Sequence, residues 1–247
     1  MVAREDLTKD AELLNQLLLA RRGTAFFARQ LNQLADAGLD GCSLLPGWTR
    51  RHVVAHVGYN ARAIARLVEW AGTGIEMPMY DSIDARDAEI NFGATLSPIA
   101  LRNLFDHSAV HLNVEWRDLE PSSWLTEVKT IQGREIMASE TVWMRTREVW
   151  LHAIDLDNGA TFSQVPLAVL SRLLRDITDA WSARGSDEGL VVEVVGSDGT
   201  AQYGDVSARP LAQVSGSLVD VAEWASGRDG AAVRARLGTD FPAPRWI

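Results

Sequence analysis

The stretch from Thr141 to Leu156 is the feature that most restricts how this chain can fold. Read as an α-helix, with about 100° between successive residues, it is apolar around most of its circumference. One narrow polar strip remains, formed by Thr141, Arg145, Glu148, His152 and Asp155. A helix that is apolar on nearly every side belongs in a core. Because a bare buried charge costs several kcal/mol, Glu148 and His152 need partners there, and a metal ion is one such partner.

The composition limits the classes of partner. The chain has 247 residues and is 47% hydrophobic, which is enough for one large domain or two small ones. Its net charge of −9 disfavours nucleic acid or an anionic membrane as the main partner, but allows a small anionic substrate held by a local arginine. The single cysteine, Cys42, excludes an intramolecular disulfide and a cysteine-rich zinc site. The charged start MVAREDLTKD and the lack of any long apolar run predict a cytoplasmic protein with no membrane span.

Helical periodicity dominates the first two thirds of the chain. It predicts four long helices, over residues 4–37, from Thr49 to about residue 71, from Pro98 to about residue 119, and from Ser139 to about residue 158. A short helix is expected at 83–92 and an extended segment within 121–137. Four long amphipathic helices indicate a four-helix bundle.

The rest of the chain has a different pattern. A helix is predicted at 165–183, strands at 189–195, 201–203 and 211–214, and a short helix that ends at Ser226-Gly227-Arg228. Ser197-Asp198-Gly199 is a hairpin signal between the first two strands. The predicted fold class is therefore α+β, with a helical bundle over residues 1–162 and a smaller α/β domain over residues 163–247.

Three residues could complete a metal site on the polar strip. Glu148 and His152 are four residues apart, so they lie on one helix face about 6 Å from each other. On the second helix, His56 lies at the edge of the apolar stripe, whereas His52 lies further round, so His56 is better aimed at the core. Two imidazoles and a carboxylate from facing helices suit Zn²⁺, and they leave a fourth position open, as catalytic zinc sites do.

Spacing alone leaves alternatives open. The chain has no HExxH motif, and Glu148 could instead pair with Arg145, with His152 a hydrogen-bonded core histidine; this is the more common outcome for such pairs. His107 and His111 form a second pair with helical spacing, but their polar surroundings indicate a partly solvated face.

Three separated motifs, "LPGWTRRHVVAHVGYNA", "ETVWMRTREVWLHAIDL" and "VSGSLVDVAEWASGR", resemble the mycothiol-dependent maleylpyruvate isomerases, which belong to the DinB-like thiol-dependent metalloenzymes. The resemblance implies a DinB-like four-helix bundle followed by a small sterol-carrier-like domain. It places the zinc ligands at His56, Glu148 and His152. It also implies that Arg228 anchors a substrate carboxylate. From its position alone, Arg228 would be interpreted as a solvated cation at a helix end.

The same resemblance implies a function. Zn²⁺ and mycothiol, or another low-molecular-weight thiol, would be the cofactors, and maleylpyruvate, an intermediate of gentisate catabolism, the small anionic substrate. A thiolate would add to the double bond, allow rotation and leave to give fumarylpyruvate, so Cys42 is not needed as the nucleophile. The polar strip would form the floor of an interdomain cleft with Arg228 above it, and Asn60, Tyr80 and Arg86 are weaker candidates for that cleft.

Two other functions remain open at this point. One is a mycothiol- or bacillithiol-dependent S-transferase that acts on electrophiles, and the other is a non-enzymatic zinc- or lipid-binding protein. The sequence does not identify the thiol or the oligomeric state.

Overall fold

Eight α-helices and five β-strands occur in the part of the chain that the structure, a computed structural model, describes: residues 5–197, 199–204, 211–228, 231–240 and 242–246. The chain divides into two units, Met1–Ala160 and Thr161–Ile247. Long helices make up most of the first unit, and the second combines a small sheet with shorter helices, which confirms the predicted α+β class. Among the described helices, none is both long and apolar enough to cross a membrane.

The first unit is built on four long helices and one short helix. Their bounds are α1 Ala11–Gln33, α2 Arg50–Thr73, α3 Ile83–Gly93, α4 Pro98–Asp118 and α5 Glu140–Asp155. α1 packs on α5, α2 packs on α4 and α5, and α3 covers part of α2. Between α4 and α5 lies a short antiparallel hairpin of β1 (Glu127–Lys129) and β2 (Glu135–Met137), of which the sequence predicted only an extended segment.

Side-chain hydrogen bonds cap the starts of α1, α3 and α4. Asp10 accepts a hydrogen bond from the backbone N–H of Leu13 at 2.9 Å, so α1 begins at Ala11. The predicted helix over residues 4–37 is therefore too long at both ends, since α1 ends at Gln33; residue 4 itself lies outside the described residues. Thr49 caps α2 as predicted.

Gly23 explains why α1 and α5 can approach closely. A Cβ atom at this position would lie 2.6 Å from both Trp150 Nε1 and Val149 Cγ2. The indole N–H of Trp150 donates to the backbone carbonyl of Leu19 at 3.1 Å, and its ring stacks on Phe26 at 5.0 Å. A glycine in the middle of a helix lowers helix stability. At this position it also allows α1 to pack closely against α5, the helix that carries the polar strip.

The second unit contains α6 (Leu167–Arg184), β3 (Leu190–Gly196), β4 (Gly199–Gly204), β5 (Ala212–Gly216), α7 (Leu218–Ala225) and α8 (Ala231–Leu237). β3 is the central strand, antiparallel to β4 and parallel to β5. Trp181 of α6 and Trp224 of α7 are fully buried and meet edge to face at 5.9 Å. The sequence predicted all of these elements except α8; Asp198 of the predicted hairpin turn lies outside the described residues.

Candidate metal centre

Three predicted residues meet where α2 packs on α5. His56 Nε2 of α2 lies 2.8 Å from Glu148 Oε2, and His152 Nε2 lies 3.1 Å from the same oxygen. One ligand atom from each residue falls within 4.8 Å of the other two. The side chains of His56, Glu148 and His152 are only 8%, 13% and 14% exposed, so the group is nearly closed to bulk water. The structure therefore brings together the set that the sequence selected, while their role as ligands stays a prediction.

Two further residues contact the outer nitrogens of these histidines. Asp155, fully buried at the end of α5, lies with Oδ2 2.8 Å from His152 Nδ1. Arg86 of α3 lies with Nη2 3.4 Å from His56 Nδ1. Because metal-bound histidines commonly donate their other ring N–H to a carboxylate, Asp155 occupies the position of a supporting residue. The sequence placed Asp155 on the polar strip but gave it no role, although its spacing of three residues from His152 on one helix face was the available signal.

Burial and hydrogen bonding act differently on the three groups. Burial lowers the pKa of His56 to about 4, although its hydrogen bond with Glu148 opposes that change. Burial would also lower the pKa of His152, but its bonds to Asp155 and Glu148 outweigh this and raise it. Burial would raise the pKa of Glu148, yet hydrogen bonds with His152 and His56 hold it well below its ordinary value. At neutral pH the carboxylate is therefore ionised and His56 is neutral.

The donor set fits a zinc ion. With Zn–N and Zn–O distances near 2.0–2.1 Å, two ligand atoms of a tetrahedral site are about 3.3 Å apart. The observed separations of 2.8 and 3.1 Å require these atoms to move apart by only a few tenths of an ångström. One ionised carboxylate and a neutral His56 are also the protonation states that a metal needs. The described residues thus match the composition of a three-ligand zinc site, and the two separations from Glu148 Oε2 are close to those that such a site needs.

The alternative pairing of Glu148 with Arg145 is wrong. Arg145 is buried and donates through Nη1 to the Val57 carbonyl at 2.6 Å and to Asn60 Oδ1 at 3.0 Å. Glu148 Oε1 instead lies 3.2 Å from Nη2 of Arg147. A spacing of three residues places two side chains on one helix face, but here the longer side chain reaches carbonyl groups across the helix interface.

The remaining histidines lie apart from this cluster. His52 Nδ1 contacts the Thr49 hydroxyl at 2.8 Å and its backbone N–H at 3.2 Å, so its ring serves the start of α2. His107 is exposed. His111 is also exposed, and it lies within 3.4 Å of two glutamates on the bundle surface. The solvated face predicted for this pair is confirmed.

The other predicted cleft residues occupy varied environments. Arg228 follows α7 in the second unit, where its Nη1 donates to the Ser226 carbonyl at 3.0 Å. Its predicted contact with a substrate stays a prediction. Tyr80 is buried next to Arg66, and burial raises the pKa of its hydroxyl. Cys42 is exposed, with a free thiol.

Known proteins resemble the chain over most of its length. Residues 20–157 match the family described as the mycothiol maleylpyruvate isomerase N-terminal domain. A crystal structure of a mycothiol-dependent maleylpyruvate isomerase is 43% identical, covers 94% of this chain and 96% of its own, and superposes with a TM-score of 0.87. A crystal structure of such an enzyme with one histidine replaced by alanine has the same identity and coverage and a TM-score of 0.86. No curated protein matches the chain.

Proposed function

The chain belongs to the mycothiol-dependent maleylpyruvate isomerase family, and we propose from this membership that it converts maleylpyruvate to fumarylpyruvate with Zn²⁺ and mycothiol. The observation that carries the proposal is the buried meeting of His56, Glu148 and His152 in a chain 43% identical to a relative of this activity over 94% of its length. Three ligands with an open fourth position favour a catalytic metal over a structural one.

His56, Glu148 and His152 would hold the zinc. When bound, zinc supplies a Lewis acid that lowers the pKa of a thiol or polarises an oxygen, and mycothiol supplies the thiolate that adds reversibly to the double bond. The chain's own contribution is to hold the ligands in place. Asp155 accepts the Nδ1–H of His152 and so directs Nε2 toward the other ligands.

The substrate of this reaction is an anion, and the chain has arginines suited to bind it. Arg228 remains the proposed anchor for a substrate carboxylate, because its Gly227-Arg228 motif matches the family pattern and guanidinium binds carboxylate with two parallel hydrogen bonds. Arg86 lies next to His56 and Arg147 next to Glu148, so two guanidinium groups border the cluster. Positive groups next to the reacting atoms would favour both a dianionic substrate and a thiolate.

Histidine replacement tests the metal proposal. His56→Ala or His152→Ala should abolish isomerisation and reduce bound zinc to below about one tenth per chain, because two remaining ligands hold the ion weakly. His111→Ala is a matched control, since it removes an exposed imidazole that is outside the cluster. A His56→Ala protein that isomerises maleylpyruvate at the full rate without metal would refute the proposal.

The substrate side needs separate assays. Arg228→Ala should slow turnover while zinc content stays unchanged, and loss of zinc in that variant would mean that its role is misassigned. Isomerisation of maleylpyruvate should require added thiol. If the thiol is instead consumed by an electrophile and maleylpyruvate is not isomerised, the protein is an S-transferase of the same superfamily.

A further inference from the structure

A second cluster of possible metal ligands lies on the surface of the first unit, where α2 packs on α4. Glu69 is about one turn before the end of α2, and His111 and Glu115 lie one turn apart on α4. His111 Nε2 lies 3.4 Å from Glu69 Oε1 and 3.3 Å from Glu115 Oε1. The cluster contains none of the three proposed zinc ligands, and Glu69 is about 20 Å from His56 along the axis of α2.

The two carboxylates of this cluster share one partner. Among the residues that the structure describes, His111 is the only ion-pair partner of Glu69 and of Glu115. An imidazole carries at most one positive charge, so two ionised carboxylates leave the group with a net negative charge. Burial raises the pKa of Glu115 and the carboxylate of Glu69 raises it further, while His111 lowers it, so the two like charges act on each other. A divalent cation between them would remove this repulsion.

The spacing of the donor atoms suits a transition-metal ion. At Zn–N and Zn–O distances near 2.0–2.1 Å, two ligand atoms of a tetrahedral site are about 3.3 Å apart. The two separations from His111 Nε2 are already close to this length, and the two carboxylate oxygens lie within 4.8 Å of each other. Because the imidazole supplies a nitrogen ligand, the set favours Zn²⁺ over Mg²⁺, which prefers oxygen ligands.

An ion from solution can reach all three side chains. The side chain of His111 is 50% exposed, and those of Glu69 and Glu115 are each 29% exposed. All three residues are on helices, so their backbone positions are fixed before an ion arrives, and binding has to restrain only the side chains. Water would complete the coordination on the open side.

We propose that Glu69, His111 and Glu115 form a second site for a divalent transition-metal ion such as Zn²⁺, which joins the end of α2 to α4. The folded chain gathers the three ligands and the unfolded chain does not, so the ion should stabilise the folded state. Because ligands this exposed compete with water, the ion exchanges with solution and desalting removes it. The zinc content of the desalted protein therefore counts the buried centre alone, and the second site does not depend on the isomerase function.

Zn²⁺ itself is the probe. The full-length protein, with its buried centre already loaded, is titrated with Zn²⁺ by calorimetry, and its melting temperature is measured with and without the added ion. One further ion per chain should bind and raise the melting temperature. Mg²⁺ should bind at least about tenfold more weakly, because it prefers oxygen ligands. Equal effects of the two ions would indicate a general attraction to surface carboxylates and would overturn the proposal, and so would the lack of any further binding event.

Variants locate the ion. His111→Ala and Glu69→Gln should each weaken Zn²⁺ binding at least about tenfold, since loss of a ligand costs at least as much as loss of a supporting residue. His107→Ala is the matched control, because His107 is an exposed histidine one turn earlier on α4 and outside the cluster. His56→Ala should leave this binding unchanged, so a failure of the isomerase proposal would not affect the test. Zn²⁺ binding that survives His111→Ala, or that falls equally in His107→Ala, would mean that the ion lies elsewhere, and the proposal would be wrong.

Discussion

Zinc binding at pH 5.5 should release about one proton from the protein. Burial lowers the pKa of His56 to about 4, so at this pH only about 3% of it carries a proton to lose. Hydrogen bonds with Asp155 and Glu148 raise the pKa of His152, so at this pH His152 is the histidine that carries the proton. Glu148, whose pKa is held well below 4.5, is already ionised. The histidine pair therefore holds about one proton, where two histidines with ordinary pKa values would release about 1.8.

Calorimetry measures this count directly. Zinc is titrated into the metal-free protein at pH 5.5 in several buffers that differ in ionisation enthalpy, and the slope of the observed heat against that enthalpy is the number of protons released. At this pH a zinc-bound water, with a pKa near 7, contributes only a few per cent of a proton. A count near two would refute the reasoning, because it would mean that burial does not keep His56 neutral.

An Asp155→Asn variant tests the protonation of His152 in a second way. Without the carboxylate 2.8 Å from Nδ1, the pKa of His152 should fall, so the proton count at pH 5.5 should drop below that of the parent protein. Zinc affinity should weaken by about 10- to 100-fold, as it does when such supporting residues are lost. An unchanged proton count would mean that Asp155 does not control the protonation of His152.

Three other predictions concern the packing of each unit and a histidine outside the proposed metal centre. Gly23→Ala should lower the free energy of unfolding by about 1–3 kcal/mol in urea titrations, because the clash with Trp150 exceeds the roughly 1 kcal/mol gain in helix propensity; a more stable variant would contradict this. Trp224→Ala should cost about 3–5 kcal/mol, since it removes a fully buried ring that packs on Trp181, and thermal melting would detect it. His111→Ala should leave both zinc content and turnover at the parent values, as metal analysis and kinetics can check.

The helices that carry the site could be predicted because their patterns are long. The apolar stripe of α2 extends over about five turns, and it correctly aimed His56 at the core and His52 elsewhere. Short elements have no such signal. β1 and β2 have three residues each, and α8 has seven, so periodicity had too few residues to identify the first strand or the last helix. The predicted start of α1 was wrong because the apolar pattern does not mark the capping role of Asp10.

At the site, the sequence could identify the buried polar side chains but not their hydrogen-bond partners. The polar strip of α5 could be recognised from one helix, since buried polar groups require compensation. The partner of each buried polar side chain depends on contacts between helices, and the spacing of residues along one helix does not determine those contacts. Arg145 was placed correctly on the strip, but its hydrogen bonds go to the Val57 carbonyl and to Asn60 of α2, and not to Glu148.

One helix interface therefore serves both stability and the proposed chemistry. Arg145 donates to the Val57 carbonyl and to Asn60 of α2, one and four residues after His56, and Glu148 contacts His56 itself, so consecutive turns of the strip meet α2. A change that shifts α5 along α2 would break the α2 contacts of a buried cation and of a buried carboxylate together. The cost of that double loss restricts the relative position of the two helices, and the same restriction keeps His56 within 2.8 Å of Glu148. The arrangement that makes a buried strip of charges tolerable is also the arrangement that brings the three proposed metal ligands together.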